Sequence, residues 1–340
     1  YIYALLREME TVSKNLKKRP VDTVFIGGGT PSVPECDVME KLLQGLRDYF
    51  LFSADAEVTI EANPGTLTPE KLSIYRKYGI NRISIGLQSP NNKELAMLGR
   101  IHNYAQFLES FQMARAAGFS NINVDLMFAI PGQSYDGWIE NLQTVAALGP
   151  EHISAYSLII EEGTPFFRKK LDLPDEDTEY RMYEDVAAVL KEYDYHQYEI
   201  SNYAKAGYEC RHNEGYWQRK DYLGLGLGAA SLLGMERFSN TADMQEYLKN
   251  SSAPEKIRKN RELLTREDEM AEFMFLGLRM TQGVSKKEFQ EYFGTAIENI
   301  YGEVLKKYKK QGLLLEESGR IFLSREGIHV SNAVMAEFLL

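Results

Sequence analysis

Cysteine is scarce in this chain: among 340 residues there are two, Cys36 and Cys210, far apart in the sequence. Two distant thiols exclude a disulfide framework and suit a reduced, cytosolic setting. They also exclude an iron–sulfur cluster held within the chain by the usual three or four thiolates. A basic excess is missing as well, since 39 Lys plus Arg stand against 49 Asp plus Glu, a formal net charge of −10. An acidic chain is poorly suited to non-specific binding of nucleic acid or anionic membranes, so no nucleic-acid partner is expected. Long apolar runs are absent too. The most apolar stretch, Leu223 to Met235, is interrupted by glycines and falls short of the roughly 20 apolar residues that span a bilayer. The first helical segment is charged and amphipathic, unlike a secretory signal. What remains is 44% hydrophobic and 26% charged, the balance of a folded globular protein. The length allows one large domain with a smaller companion.

The opening segment reads as a helix, with Ile2, Leu5, Leu6, Met9, Val12 and Leu16 at helical spacing and Pro20 as its stop. A β-branched run over 21–26 follows and ends in Gly27-Gly28-Gly29-Thr30-Pro31. From there strands are expected over 57–62, 82–87, 121–128, 152–160 and 195–201. Helices are expected between them, over 37–50, 69–78, 104–117, 135–148 and 177–193. Strand and helix in regular alternation predict parallel βαβ units. A right-handed βα series begins on a strand, yet this pattern begins on a helix preceded by Tyr1. The expected fold is α/β: a partial (β/α)6 barrel over residues 1–249 that lacks its first strand, then a linker over 250–262. Beyond it, helices over 265–281, 285–293 and 296–311 and a hairpin around Ser318-Gly319 predict a winged-helix-like α+β domain over 263–340. Lys306, Lys307, Lys309 and Lys310 on its last helix raise the question of DNA binding. The carboxylates Glu267, Asp268, Glu269, Glu272, Glu288 and Glu291 favour a packing module with a solvated basic face instead.

The three glycines directly follow a strand, at the end where barrel active sites lie. Glycine there lets a ligand approach the backbone N–H groups without obstruction by Cβ. A tight βα turn would explain one or two glycines, and three followed by Thr-Pro favour a ligand turn. Polar residues recur at later strand ends: Glu61 and Asn63, Gln88 and Ser89, and Asp125. Each alone reads as a helix cap, but three strands in succession point to a site. Arg100 is placed to supply a charge-assisted bond to a carboxylate. A second cluster, Cys210 to Trp217, joins His212 to two adjacent aromatics. It suits porphyrin binding with the imidazole as axial ligand, or a buried packing corner. The glycine-rich 223–231 segment is either a close approach to a cofactor or a packing corner. His102, His152, His196 and His329 read as structural, and Cys36 as inert.

Several segments together carry a resemblance. They are Gly-Gly-Gly-Thr-Pro-Ser at 27–32, Glu-Ala-Asn-Pro-Gly at 61–65, Ile-Ser-Ile-Gly-Leu-Gln-Ser at 83–89 and Asn-Val-Asp-Leu-Met-Phe-Ala-Ile-Pro-Gly-Gln at 123–133. Ser-Ala-Tyr-Ser-Leu at 154–158 and His-Asn-Glu-Gly-Tyr-Trp at 212–217 complete the set. The chain resembles, over essentially its whole length, the radical S-adenosylmethionine proteins related to oxygen-independent coproporphyrinogen III oxidase. His-Asn-x-x-Tyr-Trp resembles the haem-binding motif of that family's haem-chaperone branch, which binds haem and passes it to acceptor proteins. The resemblance implies that Gly28, Gly29 and Thr30 contact the methionine moiety of S-adenosylmethionine. It assigns Glu61, Gln88, Arg100 and Asp125 to the polar and ribose groups, and Ile159 and Ala230 to the adenine region. It makes His212 the haem-iron ligand, with Asn213, Tyr216 and Trp217 completing the haem motif. Implied partners are a haem-acceptor protein, including membrane-bound acceptors met peripherally, and an electron donor of flavodoxin type. The rival function is oxidative decarboxylation of coproporphyrinogen III by a 5′-deoxyadenosyl radical.

One departure is large. The family binds a [4Fe–4S] cluster through Cys-x-x-x-Cys-x-x-Cys after its first strand, and this chain has no such motif. The expectation is that an amino-terminal segment carrying both strand and motif lies outside the chain, the alternative being a natural relative without a cluster. Without those thiolates, the chain is not expected to cleave S-adenosylmethionine.

Overall fold

A computed structural model of the chain describes residues 1–14, 16, 19–164 and 166–340. Helix α1 (Ile2–Ser13) precedes β1 (Val21–Ile26), α2 (Cys36–Tyr49) and β2 (Phe52–Ala62). Strand–helix alternation continues through α3 (Pro69–Lys77), β3 (Arg82–Gln88), α4 (Asn92–Met97), α5 (Tyr104–Ala116), β4 (Ile122–Phe128), α6 (Tyr135–Ala146) and β5 (His152–Ser157). Then come α7 (Glu176–Glu184), α8 (Val186–Lys191), β6 (His196–Glu199) and β7 (Asn202–Ala204). They are followed by α9 (Arg211–Trp217), β8 (Ala230–Leu233), β9 (Glu236–Asn240), α10 (Met244–Asn250), α11 (Pro254–Ile257) and β10 (Arg258–Leu263). The chain closes with α12 (Arg266–Gly277), β11 (Val284–Ser285), α13 (Lys286–Phe293), α14 (Ile297–Lys310), β12 (Leu314–Glu317), β13 (Arg320–Leu323), α15 (Arg325–His329) and α16 (Ser331–Ala336). Two compact units result. One comprises Thr23–Asp37 and Ala56–Glu209; the other comprises Tyr1–Asp22, Val38–Asp55 and Cys210–Leu340.

The large sheet has the order β1-β2-β3-β4-β5-β7-β6, and β2 to β5 run parallel to one another. All seven residues of β3 are buried, as in a parallel strand covered on both faces. The crossover helices start where capping side chains stand: Thr68 for α3, Asn103 with Gln106 in a capping box for α5, and Ser134 for α6. One expectation needs correcting. The run at 195–201 is not a sixth parallel strand next to β5, because the chain reverses at Ile200-Ser201 and β7 inserts antiparallel between β5 and β6. The Glu199 carboxylate accepts the Ser201 N–H at 3.1 Å, which stabilises that reversal without a glycine. The helix expected over 177–193 is also divided, into α7 and α8 at Asp185.

In the other unit Ala4, Tyr247 and Ile257 pack as a buried cluster, with Leu227 and Leu248 against it. Glu8 on α1 is buried and accepts from Tyr247 Oη at 2.6 Å, Asn240 Nδ2 at 2.7 Å and Gly226 N at 2.9 Å. Burial holds its carboxyl above the usual range, and these donors oppose the shift. A Cβ at Gly224 would fall 2.1 Å from the Ala230 carbonyl oxygen, so 223–231 folds as a glycine packing corner. The stretch 250–262 is not a linker. It contains α11 and β10, and β10 pairs antiparallel with β9 in a three-stranded sheet β10-β9-β8. Thr265 caps α12 in a capping box with Asp268; the three helices and the hairpin follow in the expected order, and the short β11, which was not expected, joins the hairpin in the sheet β11-β13-β12. Its lysines face carboxylates: Lys307 pairs with Glu337 at 2.9 Å, and Lys309 pairs with Glu316. No helix among the described residues is long and apolar enough to cross a membrane.

Candidate functional site

The strand ends of the first unit build a polar cradle. Gly28 and Gly29 adopt φ of +80° and +62°, the left-handed region that suits glycine. A Cβ at Gly27 would lie 3.0 Å from Glu61 Oε2, whereas Cβ atoms at Gly28 and Gly29 would meet nothing within 4 Å. The turn is therefore pressed against Glu61 on one side and open on the other. Gly28 N–H donates to Glu61 Oε2 at 3.2 Å, and Asn63 Nδ2 donates to Thr30 Oγ1 at 3.1 Å. Gln88 ends β3 at φ +73°, a conformation that only a few non-glycine residues adopt. Gly86 lets the amides of Gln88 and Asn63 close in, since its Cβ would stand 3.1 Å from one and 3.3 Å from the other.

Asp125 lies on β4, and its carboxylate receives Asn123 Nδ2 at 2.7 Å and Ser84 Oγ at 3.2 Å. Burial raises its carboxyl above the ordinary range. Burial also raises Glu61, and the Asp125 charge raises it further. Arg100 is half-buried; burial lowers its pKa, while the Asp125 charge opposes that shift. Two carboxyls with raised pKa values and a guanidinium in one cradle suit an amphoteric ligand that carries both charges. Gly28, Gly29, Thr30, Glu61, Gln88, Arg100 and Asp125 thus lie in one unit. Ile159, also in that unit, is 77% exposed beyond the end of β5, and Ala230, the first residue of β8, belongs to the other unit. In the sequence Asn63 is one strand-end polar residue among several, and Ser84 and Asn123 do not stand out from their strands. The period-two spacing of Asn123 with Asp125 on one strand face was the available signal.

The second cluster is helical. Cys210 is buried at the N-cap of α9, and no residue of α9 itself is fully buried. His212 and Tyr216 are one turn apart; their rings meet edge-on at 4.8 Å, with His212 Nε2 hydrogen-bonded to Tyr216 Oη at 3.1 Å. Tyr216 in turn meets Tyr222 edge-on at 4.7 Å. The Arg279 guanidinium lies 4.3 Å from the centre of the Trp217 ring. Arg219, at φ +53°, reaches Glu269 at 2.9 Å and Glu272 at 2.7 Å, and Arg237 pairs with Glu272 as well. Asn213 is half-buried on the same helix. An imidazole backed by two tyrosine rings is suited to binding a flat aromatic macrocycle with a central metal.

A half-barrel with a glycine turn after β1, a carboxylate at the end of β2 and another midway along β4 defines the class. Residues 3–145 match the Radical SAM superfamily, and residues 264–330 match the HemN C-terminal domain. The structure of coproporphyrinogen III oxidase (HemN) from Escherichia coli shares the fold, with a TM-score of 0.88 over 100% of this chain and 82% of that one, at 22% identity. Heme chaperone HemW of Bacillus subtilis (strain 168) is 37% identical over 100% of this chain and 91% of its own length. That of Escherichia coli (strain K12) is 35% identical over 95% and 88%. The chain belongs to the HemW family of radical SAM proteins.

Proposed function

We propose that this protein binds haem and delivers it to acceptor proteins, on a half-barrel that holds S-adenosylmethionine. The observation that carries the reading is the α9 arrangement, His212 set against Tyr216 and Tyr222 with Trp217 beside them. Similarity along the whole chain to relatives named heme chaperones supports it. In this reading His212 ligates the haem iron, and Tyr216 and Trp217 pack on the macrocycle beside Asn213. In the cradle, the open face of Gly28 and Gly29 with Thr30 takes the methionine moiety. Arg100 meets the carboxylate of the ligand, and Glu61, Gln88 and Asp125 accept from or donate to its amino and ribose groups. A cationic ammonium or sulfonium beside Glu61 and Asp125 favours the ionised form of those carboxyls, against the upward push of burial. Ile159 serves the adenine.

Membership of the superfamily implies a [4Fe–4S] cluster, which together with S-adenosylmethionine supplies radical chemistry when loaded. Cys36 and Cys210 stand in different compact units, and no group of three or more His, Cys, Asp or Glu among the described residues could hold a metal. These residues therefore do not fit the cluster, and no step is derived through it. A flavodoxin-like electron donor, a haem acceptor reached in solution or at a membrane surface, and a cytoplasmic setting complete the proposal. Haem titration tests it. A Soret band is expected for the wild type, weakened or displaced in His212→Ala. A band unchanged by that substitution overturns the ligand assignment, and vinyl-group formation from coproporphyrinogen III would favour decarboxylase activity instead.

A further inference from the structure

A line of polar side chains leads from Asp125 into the interior of its unit. Asn123 Oδ1 accepts from His152 Nδ1 at 2.5 Å and from Ser154 Oγ at 3.1 Å. Asn123 Nδ2 donates to Asp125 Oδ1 at 2.7 Å and to Ser84 Oγ at 2.8 Å. The carboxamide thereby uses both of its N–H groups and both acceptor lone pairs. Ser84 Oγ donates to Asp125 Oδ2 at 3.2 Å, and Tyr198 Oη donates to His152 Nε2 at 2.8 Å.

The direction of every bond in this line follows from its first member. An ionised carboxylate only accepts, so Asn123 must turn its amino group to Asp125 and its carbonyl to His152. His152 must then carry its proton on Nδ1 and keep Nε2 bare for the Tyr198 hydroxyl. His152 is 0% exposed, and burial together with the nearby Arg82 charge keeps the ring neutral. An apolar set of the same shape would serve stability as well as this one, because buried hydrogen bonds only recover what desolvation costs. A fully satisfied network, in contrast, fixes one geometry.

We infer that His152 and Tyr198 are positioning residues for the cradle: acting through Asn123, they hold the Asp125 carboxylate in one orientation toward its ligand. The inference rests on the cradle being the S-adenosylmethionine site. The test is S-adenosylmethionine binding by equilibrium dialysis to the full chain and its variants, with thermal unfolding followed in parallel. His152→Leu is expected to bind about tenfold more weakly, the loss of one oriented hydrogen bond. His152→Asn, whose amide can replace the Nδ1 donor, is expected within about twofold of the wild type, a rescue that a space-filling role would not show. Tyr198→Phe leaves the ring in place and removes the donor to Nε2. The ring-nitrogen NMR shifts of His152 are expected to show the Nδ1–H tautomer in the wild type, and Tyr198→Phe, which frees one side of the ring, is expected to bind S-adenosylmethionine about threefold more weakly. Equal binding by His152→Leu, His152→Asn and the wild type overturns the inference, as does wild-type binding by Tyr198→Phe or an Nε2–H tautomer of His152 in the wild type. Should His152→Leu fail to fold, Tyr198→Phe decides alone. Asp125→Asn separates the two levels: wild-type binding by that variant defeats the cradle reading itself, whereas weak binding there with normal binding by the His152 variants defeats only the positioning.

Discussion

The two candidate sites of this chain are made by different means. The cradle is set by backbone: left-handed Gly28 and Gly29, a left-handed Gln88, and glycines at 27 and 86 that let polar side chains approach. Its side chains then work as short-range hydrogen-bond acceptors and charges. The α9 cluster depends mainly on side chains: apart from the left-handed Arg219 just past it, a short helix presents His212, Tyr216 and Trp217, and the residues around it hold them by ring contacts and ion pairs. A site set by backbone fails by steric strain at single positions. One held by side chains fails when a shared partner is removed. That contrast can be broken by experiment.

The largest effect is expected at Glu272, whose side chain is 5% exposed and serves both Arg219 and Arg237. Removing one partner of a buried ion pair leaves uncompensated charge. Glu272→Ala is expected to lower stability by about 3 kcal/mol in denaturant unfolding and to weaken haem binding. S-adenosylmethionine binding measured where the variant is still folded should stay within about twofold. Unchanged unfolding would show that the triad holds nothing. Next comes Gly28→Val, which forces a β-branched residue to a left-handed φ at a cost of about 1–2 kcal/mol. It is expected to reduce S-adenosylmethionine affinity at least about tenfold while the Soret titration is retained. Loss of both would mean that the two sites are not separable.

The same difference explains what the sequence made legible. Parallel strands covered on both faces read as apolar runs closed by glycine or polar residues, so the expected 82–87 became Arg82–Gln88, and Glu61 and Gln88 stood out at strand ends, whereas Asp125, expected at one, sits midway along β4. The β6–β7 hairpin was hidden because Ile200-Ser201 carries no glycine or asparagine, and Glu199 supplies the missing turn bonds from its side chain. The 250–262 segment read as a linker because Ser251, Ser252 and Pro254 are loop formers, while β10 is a charged, exposed edge strand without an apolar face. Spacing alone left α9 open between ligand site and packing corner, since His212 and Tyr216 at i and i+4 also pack in ordinary helices. His152 read as structural because its partners Asn123 and Tyr198 come from strands distant in sequence.

A smaller effect sharpens the α9 side. Arg279→Met keeps apolar contact with the Trp217 ring but removes the cation from its face. The cost is expected near 1 kcal/mol in unfolding experiments, with a shift in Trp217 fluorescence and weaker haem binding. Full retention of all three would remove Arg279 from the account of that cluster.

The smallest effect concerns pH and belongs to the cradle. Burial raises the carboxyls of Glu61 and Asp125 in the folded protein above their ordinary values. A group whose folded pKa is raised contributes stability that is fully present below its unfolded value, about pH 4, and lost as pH rises through the folded value. The unliganded protein should therefore lose a little stability on going from acid toward neutral pH. A ligand bearing an ammonium or sulfonium favours the ionised carboxylates, so its binding should strengthen over the same window and release protons. Calorimetry in two buffers of different ionisation enthalpy measures that release. Asp125→Asn should diminish it, and the haem titration of that variant should keep the wild-type pH profile. Proton uptake on S-adenosylmethionine binding would contradict the paired-carboxyl account of the cradle. A haem profile altered by Asp125→Asn would show that the two sites share more than a chain.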